Sequence, residues 1–147
     1  MKLKQICVPI ENSHDRLTKF TRALGERGIY LKAFNLVDTG DLGEFRFLVS
    51  DVEIARHVLM QKHIPARIDD VVAVELDNRS GQLSNVLDDL RQAGIQVKYA
   101  YPSAGIVSGR EIIIFCFSDN DKAIEVLMEK QARLLDNEAL GVFDTAA

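Results

Sequence analysis

ICVPIENSHDRLTKFTRALGERGIYLKAF, residues 6–34, and VAVELDNRSGQLSNVLDDLRQAGIQVKYA, residues 72–100, are two versions of one pattern. Aligned end to end, Leu17 meets Leu83, Leu24 meets Leu90, Gly28 meets Gly94 and Ile29 meets Ile95. Further along, SDVEIARHVL from Ser50 matches SDNDKAIEVL from Ser118, two residues out of step because the second copy is longer in an intervening loop. A repeat of this kind marks the duplication of a unit filling about half the chain, with residues 1–69 as the first unit and 70–147 as the second.

Each unit reads as the same six elements. A strand ending at Ile10 or Leu76 leads through ENSHD or DNRSG into a helix, whose apolar residues (Leu17, Phe20 and Leu24; Leu83, Val86, Leu87 and Leu90) recur every three or four positions. Gly28 and Gly94 follow the last helical turn, where a left-handed residue commonly ends a helix. The alternation Ile29-Leu31-Ala33 and Ile95-Val97-Tyr99 then marks a second strand. A hairpin through DTGDLG, or through the longer PSAGIVSG, returns as the third strand. A second helix is predicted to start at Ser50, with Glu53 completing a capping box, and at Ser118, with Asp121 as its weaker counterpart. Short fourth strands are expected near Ala66–Ile68 and Ala132–Leu135.

Strand-helix-strand-strand-helix-strand, twice over, is the split βαβ order. The fold class is therefore α+β: two ferredoxin-like βαββαβ lobes, each an antiparallel sheet with both helices on one face. Units of ~60–70 residues bury small cores. The run Glu111–Phe117 is apolar on both faces, so a sister lobe or a second chain is expected to cover the side without helices. Pro9 lies within a strand that this topology makes central, and a bulge or an early end to the ladder is expected there.

The bulk properties exclude several classes. Of 147 residues, 47% are hydrophobic and 27% charged, which suits a globular protein. The longest apolar run, Ile112–Phe117, falls far short of the ~20 residues of a membrane span, and no signal-peptide core forms at the start, so the expected setting is cytoplasmic, with no membrane partner. A net charge of −4 without a basic block argues against nucleic acid. Cys7 and Cys116 sit in strand-like runs without CxxC spacing and read as buried reduced thiols. His57 and His63 lack the i, i+4 spacing of paired metal ligands, so no metal is expected. There is no GxSxG, no P-loop and no cysteine beside a base, and the chain reads as a non-enzyme without cofactor.

The segments ENSHDRLTKFTRALGERGIYLKAF and DNRSGQLSNVLDDLRQAGIQVKYA resemble the first strand, helix and second strand of ACT domains, and specifically stand-alone tandem ACT proteins. The family pattern places a D/N-x-P-G-x-L loop before the helix and Gly-Ile-x-(Ile/Val) after it. Asn78-Arg79-Ser80-Gly81-Gln82-Leu83 keeps the glycine and leucine, with Ser80 where proline is common, whereas the first copy has His14-Asp15 in place of Pro-Gly. The resemblance implies an amino acid or related metabolite bound at these turns for regulation, near a lobe or subunit interface. It also implies a homodimer, and an enzyme of amino-acid biosynthesis as a partner.

Physical reasoning points to the same turns. A helix N-terminus offers unpaired N–H groups to a ligand carboxylate, and a glycine there lets backbone approach closely. The candidate ligand-binding residues are Asn78, Arg79, Ser80, Gly81, Gln82 and Leu83 in the second copy, with Asn12, Ser13, His14 and Leu17 in the first. The asparagine oxygens are candidate acceptors for an α-ammonium group, and the leucines candidate floors of an apolar pocket. Asp15, aligned with Gly81, would repel a carboxylate, so the turns are expected to be inequivalent. Plain helix capping also explains the asparagines and serines. Two other readings stay open: a structural association module without ligand, and an acylphosphatase-like enzyme using Arg16 or Arg79.

Overall fold

The computed structural model describes residues 1–10, 14–38, 43–77, 79–104 and 110–144, with His14 by its backbone. Most of the two hairpin loops, together with Asn12, Ser13 and Asn78, lies outside the described residues. In chain order the elements are β1 (Leu3–Ile10), α1 (His14–Glu26), β2 (Leu31–Asp38), β3 (Gly43–Val49), α2 (Val52–Gln61), β4 (Arg67–Asp77), α3 (Gln82–Gln92), β5 (Val97–Pro102), β6 (Arg110–Phe117), α4 (Asn120–Glu129), β7 (Arg133–Leu135) and α5 (Asn137–Leu140).

The chain divides into two compact units, Lys4–Asp69 with Gly141–Ala147, and Asp70–Leu140 with Met1–Leu3. In the first, the strand order is β2-β3-β1 followed by the opening residues of β4; in the second, β4 lies between β7 and β6, with β5 outermost. The β1–β3, β2–β3, β4–β6, β4–β7 and β5–β6 pairs are antiparallel. Both units are ferredoxin-like, with helices on one face of an antiparallel sheet. The fourth strand of the first repeat and the first of the second form one element, and Arg67-Ile-Asp-Asp-Val-Val contains no glycine or proline to interrupt it.

Aromatic packing dominates the first core. Phe20 of α1 meets Phe45 and Phe47 of β3 at ring-centroid distances of 5.8 and 4.9 Å, and Ile6 and Val8 pair in register with Phe47 and Phe45. Full burial of one such side chain stabilises by about 1.5–3 kcal/mol. The second core joins Val72, Val74 and Leu76 of β4 to Val86 and Leu90 of α3, Phe115 and Phe117 of β6, and Ala123 and Leu127 of α4. Ile112, Ile114 and Cys116, on the opposite face of β6, are buried as well. Pro9 stands opposite Glu44 one residue before β1 ends, so the ladder closes soon after the missing donor.

Helix ends repeat between the units. After α1 and α3, Gly28 (φ +72°) and Gly94 (φ +76°) are left-handed, and Ile29 and Ile95 N–H donate back to the carbonyls of Leu24 and Leu90, both at 2.9 Å. The same motif ends α2 and α4 with non-glycine residues, His63 (φ +55°) and Gln131 (φ +61°).

The capping box needs correction. The caps of α2 and α4 are Asp51 and Asp119, one residue beyond the predicted serines, and their carboxylates accept from Ile54 and Lys122 N–H at 3.1 and 3.0 Å. Ser50 and Ser118 instead accept, through Oγ, from Tyr30 and Gln96 N–H at 2.9 and 3.0 Å, tying the helix start to the entry of the neighbouring strand. Glu53 pairs with Arg56 at 3.8 Å.

The segment after α5 is part of the first unit. Phe143 accepts from Val52 N–H (2.9 Å) and donates to the Ser50 carbonyl (2.7 Å), Val142 is buried, and Asp144 lies 3.7 Å from Lys4 Nζ.

Candidate functional site

The two strand-to-helix turns differ in where the helix begins. In the first repeat α1 starts at His14, so Asp15 occupies its first turn, where a carboxylate meets the positive end of the helix. In the second, α3 starts only at Gln82, and Gly81 is its N-cap at φ +88°, with no side chain to cap the helix. Open space surrounds the position a Cβ would take, so the backbone conformation, not crowding, calls for glycine there. The turn is tightened by Arg79 N–H donating to the Asp77 carbonyl at 2.7 Å.

Beside this turn lies a cavity of about 210 Å³. The end of β4 supplies Glu75, Leu76 and Asp77, and α3 supplies Gln82, Asn85, Val86 and Asp89. Leu127 and the segment Lys130–Arg133 close the other side. Its charges are partly paired: Glu75 lies 3.5 Å from Arg110 and 3.8 Å from Arg133, and Asp89 lies 4.0 Å from Lys130. Gln82 Oε1 is buried there, and no donor among the described residues reaches it. An acceptor left in that state costs about 1–3 kcal/mol until a donor meets it. The lining thus offers acceptors from an amide and carboxylates, and donors from Lys130 and Arg133. A larger, more open groove of about 440 Å³ adjoins it, sharing Glu75, Ala132 and Arg133 and adding Met1, Met128, Leu134 and Leu135.

Of the predicted site residues, Gln82 lines the cavity. Arg79 is exposed and pairs with Asp77 at 3.4 Å, Ser80 and Gly81 are exposed in the turn, and Leu83, 44% exposed, lines neither cavity. In the first repeat Leu17 is half-buried. Sequence reading missed Glu75, Asn85, Asp89, Lys130 and Arg133. Only Glu75 left a signal, as a charge inside the apolar run Val71–Leu76.

A second polar cluster lies in the first unit. Cys7 Sγ and carboxylate oxygens of Glu44 and Asp69 fall within 4.8 Å of one another. Arg67 occupies this cluster, donating to Asp69 at 2.9 and 3.0 Å and to Glu44 at 3.0 Å. Burial pushes the Cys7 thiol up to about 12, against a weaker opposing effect of the Gln5 hydrogen bond, so the sulfur is a protonated thiol at neutral pH. Cys7 and Cys116 are both free and buried.

Residues 1–143 match the family model of the ACT domain pair. The chain belongs to that family. ACT pairs are regulatory modules, and among solved structures this one resembles protein BT0572 from Bacteroides thetaiotaomicron at 33% identity and a TM-score of 0.89, over 97% of this chain and 98% of that one. The fold of this ACT pair is also shared with the ligand-free regulatory subunit of aspartate kinase from Thermus thermophilus, at 16% identity, a TM-score of 0.59 and coverage of 86% and 90%. A comparison with curated proteins finds no match. No helix among the described residues is long and apolar enough to cross a membrane.

Proposed function

We propose that this ACT pair is a non-catalytic regulatory protein that binds an amino acid or a metabolite of similar size at the β4–α3 turn of its second repeat. The observation that carries the reading is Gln82 Oε1, an unmet buried acceptor in a cavity beside the turn where the family resemblance puts the effector. At about 210 Å³ the cavity is smaller than the ~300–1,000 Å³ of pockets for drug-sized ligands, which suits a compact metabolite. A zwitterion matches its mixed lining: an ammonium group toward Gln82 and the carboxylates, a carboxylate toward Lys130, Arg133 or the uncapped start of α3. In the first repeat Asp15 already occupies the equivalent helix start, so the second turn is the better site. Occupancy would act on an associated enzyme of amino-acid metabolism, a reading supported by fold analogy to the aspartate kinase regulatory subunit.

A thermal-shift screen with the twenty amino acids tests this. A ligand at ~100 times its dissociation constant stabilises by about 2.7 kcal/mol, a rise of several degrees. Calorimetry should then show binding at least about tenfold weaker for Gln82→Leu and unchanged for Asp15→Ala. A flat screen overturns the proposal in favour of a ligand-free association module.

A further inference from the structure

The cavity beside the β4–α3 turn and the groove that adjoins it differ in chemistry, and both lie within the second compact unit. The cavity is walled mainly by polar side chains, among them Gln82, Glu75, Asp89 and Lys130. In the groove the charged side chains are Glu75 and Arg133, which it shares with the cavity and which lie 3.8 Å apart. Beyond that pair the groove runs over Met1, Met128, Leu134 and Leu135, with Ala132 at the shared wall. Leu134 and Leu135 are half-buried, and Met128 is 53% exposed beside them.

The repeat shows which of these side chains belong to the second copy alone. Continued past Ser50 and Ser118, the match sets Met60, Lys62, Ile64, Ala66 and Arg67 against Met128, Lys130, Ala132, Leu134 and Leu135. The backbone keeps the same alignment: His63 and Gln131 are both left-handed, and Ile64 and Ala132 N–H donate to the carbonyls of Leu59 and Leu127, both at 2.9 Å. Where the first copy has the bulk of Ile64, the second has only the methyl group of Ala132, at the wall between cavity and groove. Where the first has Ala66 and the ion-paired Arg67, the second has two leucines. The second copy has thus lost bulk at the junction and gained apolar surface beyond it.

We infer that the effector is an α-amino acid with an extended apolar side chain, its charged head in the cavity and its side chain passing Ala132 into the groove against Met128, Leu134 and Leu135. A zwitterionic head satisfies the polar cavity alone, and an apolar chain running on from it removes the groove lining from water. A side chain ending in a charge would lose its hydration against leucine and methionine. The flexible thioether of Met128 lets that wall follow a straight chain instead of selecting one branched shape. The inference rests on the binding site proposed above and adds the side-chain class and the residues that select it.

Calorimetry of the parent chain with 2-aminobutyrate, norvaline and norleucine tests it, because these share one head and differ by one methylene at each step. Affinity should rise about two- to fourfold per methylene, the upper figure being that of a fully buried one. Lysine and glutamate should bind at least about tenfold more weakly than norleucine. Ala132→Ile, which restores the residue of the first copy, should weaken norleucine at least about tenfold and leave 2-aminobutyrate within about twofold. Met128→Lys, at an exposed helix position, should likewise weaken norleucine and spare 2-aminobutyrate. A series without any rise, or tighter binding of lysine or glutamate, overturns the inference while the amino-acid site stands. So does an equal loss of norleucine and 2-aminobutyrate in both variants, since Ala132 and Met128 would then not select the side chain. Failure of every amino acid to bind the parent chain removes the site and the inference together.

Discussion

His63 and Gln131 hold left-handed backbone at the ends of α2 and α4, in the role Gly28 and Gly94 play after α1 and α3. An L side chain in that region is disfavoured by roughly 1–2 kcal/mol, partly offset by the greater freedom glycine has in the unfolded chain. His63→Gly and Gln131→Gly are each expected to stabilise by about 0.5–1 kcal/mol, read as a higher urea midpoint with unchanged slope. A fall in the midpoint would mean that those side chains contribute contacts worth more than the strain. Gly28 and Gly94 were legible in the sequence because a glycine between a helical stripe and an alternating run has few other uses. His63 and Gln131 were not, because the conformation is imposed by the strand that must follow and leaves no mark in residue type. The capping aspartates were missed for a related reason: Ser50-Asp51 and Ser118-Asp119 each contain two competent caps, and only the strand entries at Tyr30 and Gln96 decide which oxygen serves which donor.

Among the elements of the first unit, β1, β3 and β4 are joined at one end by Cys7, Glu44 and Arg67, a juxtaposition that requires the sheet order and has no local signature. Burial works to raise the Glu44 carboxyl, but hydrogen bonds and charges from Arg46 and Arg67 outweigh it and hold the group below its ordinary value of 4.5. A carboxyl depressed in the folded state contributes stability above its unfolded pKa and loses it as the pH falls through the folded one. Acid titration of stability should therefore show a loss beginning below about pH 4.5 that is smaller in Glu44→Gln, measured by urea unfolding at each pH. Equal acid sensitivity of the two chains would show that Glu44 is not the coupled group. At this scale the helices, the strand pairs and the β4–α3 turn were readable from periodicity, whereas the cavity beside that turn was not. Its far wall, Lys130–Arg133, comes from the other end of the repeat, and its exposed polar residues look like any wet helix end.

Across the whole chain, the repeat is faithful in fold but not in use. One turn begins its helix with Asp15 and the other leaves the start of α3 without a side-chain cap. The ends of the chain break the repeat further, because each compact unit takes in a piece beyond its own half: Gly141–Ala147 in the first and Met1–Leu3 in the second. A short tail of mixed composition carries no periodicity, so this role was invisible in the sequence. In the first unit the tail buries Val142 and bonds both N–H and C=O of Phe143 to the start of α2. Burial of a valine is worth about 1.5–3 kcal/mol, and each hydrogen bond adds about 0.5–1.5 kcal/mol. Removing residues 141–147 should therefore destabilise by about 2.5–6 kcal/mol, with the loss reported by hydrogen exchange at amides of α2 and β1 and protection of the β6 amides less affected. Val142→Ala alone should reproduce part of that loss with the tail still present. If exchange at α2 is unchanged in the truncated chain, the tail adds nothing to the stability of the first unit, and its hydrogen bonds only replace those that water would make.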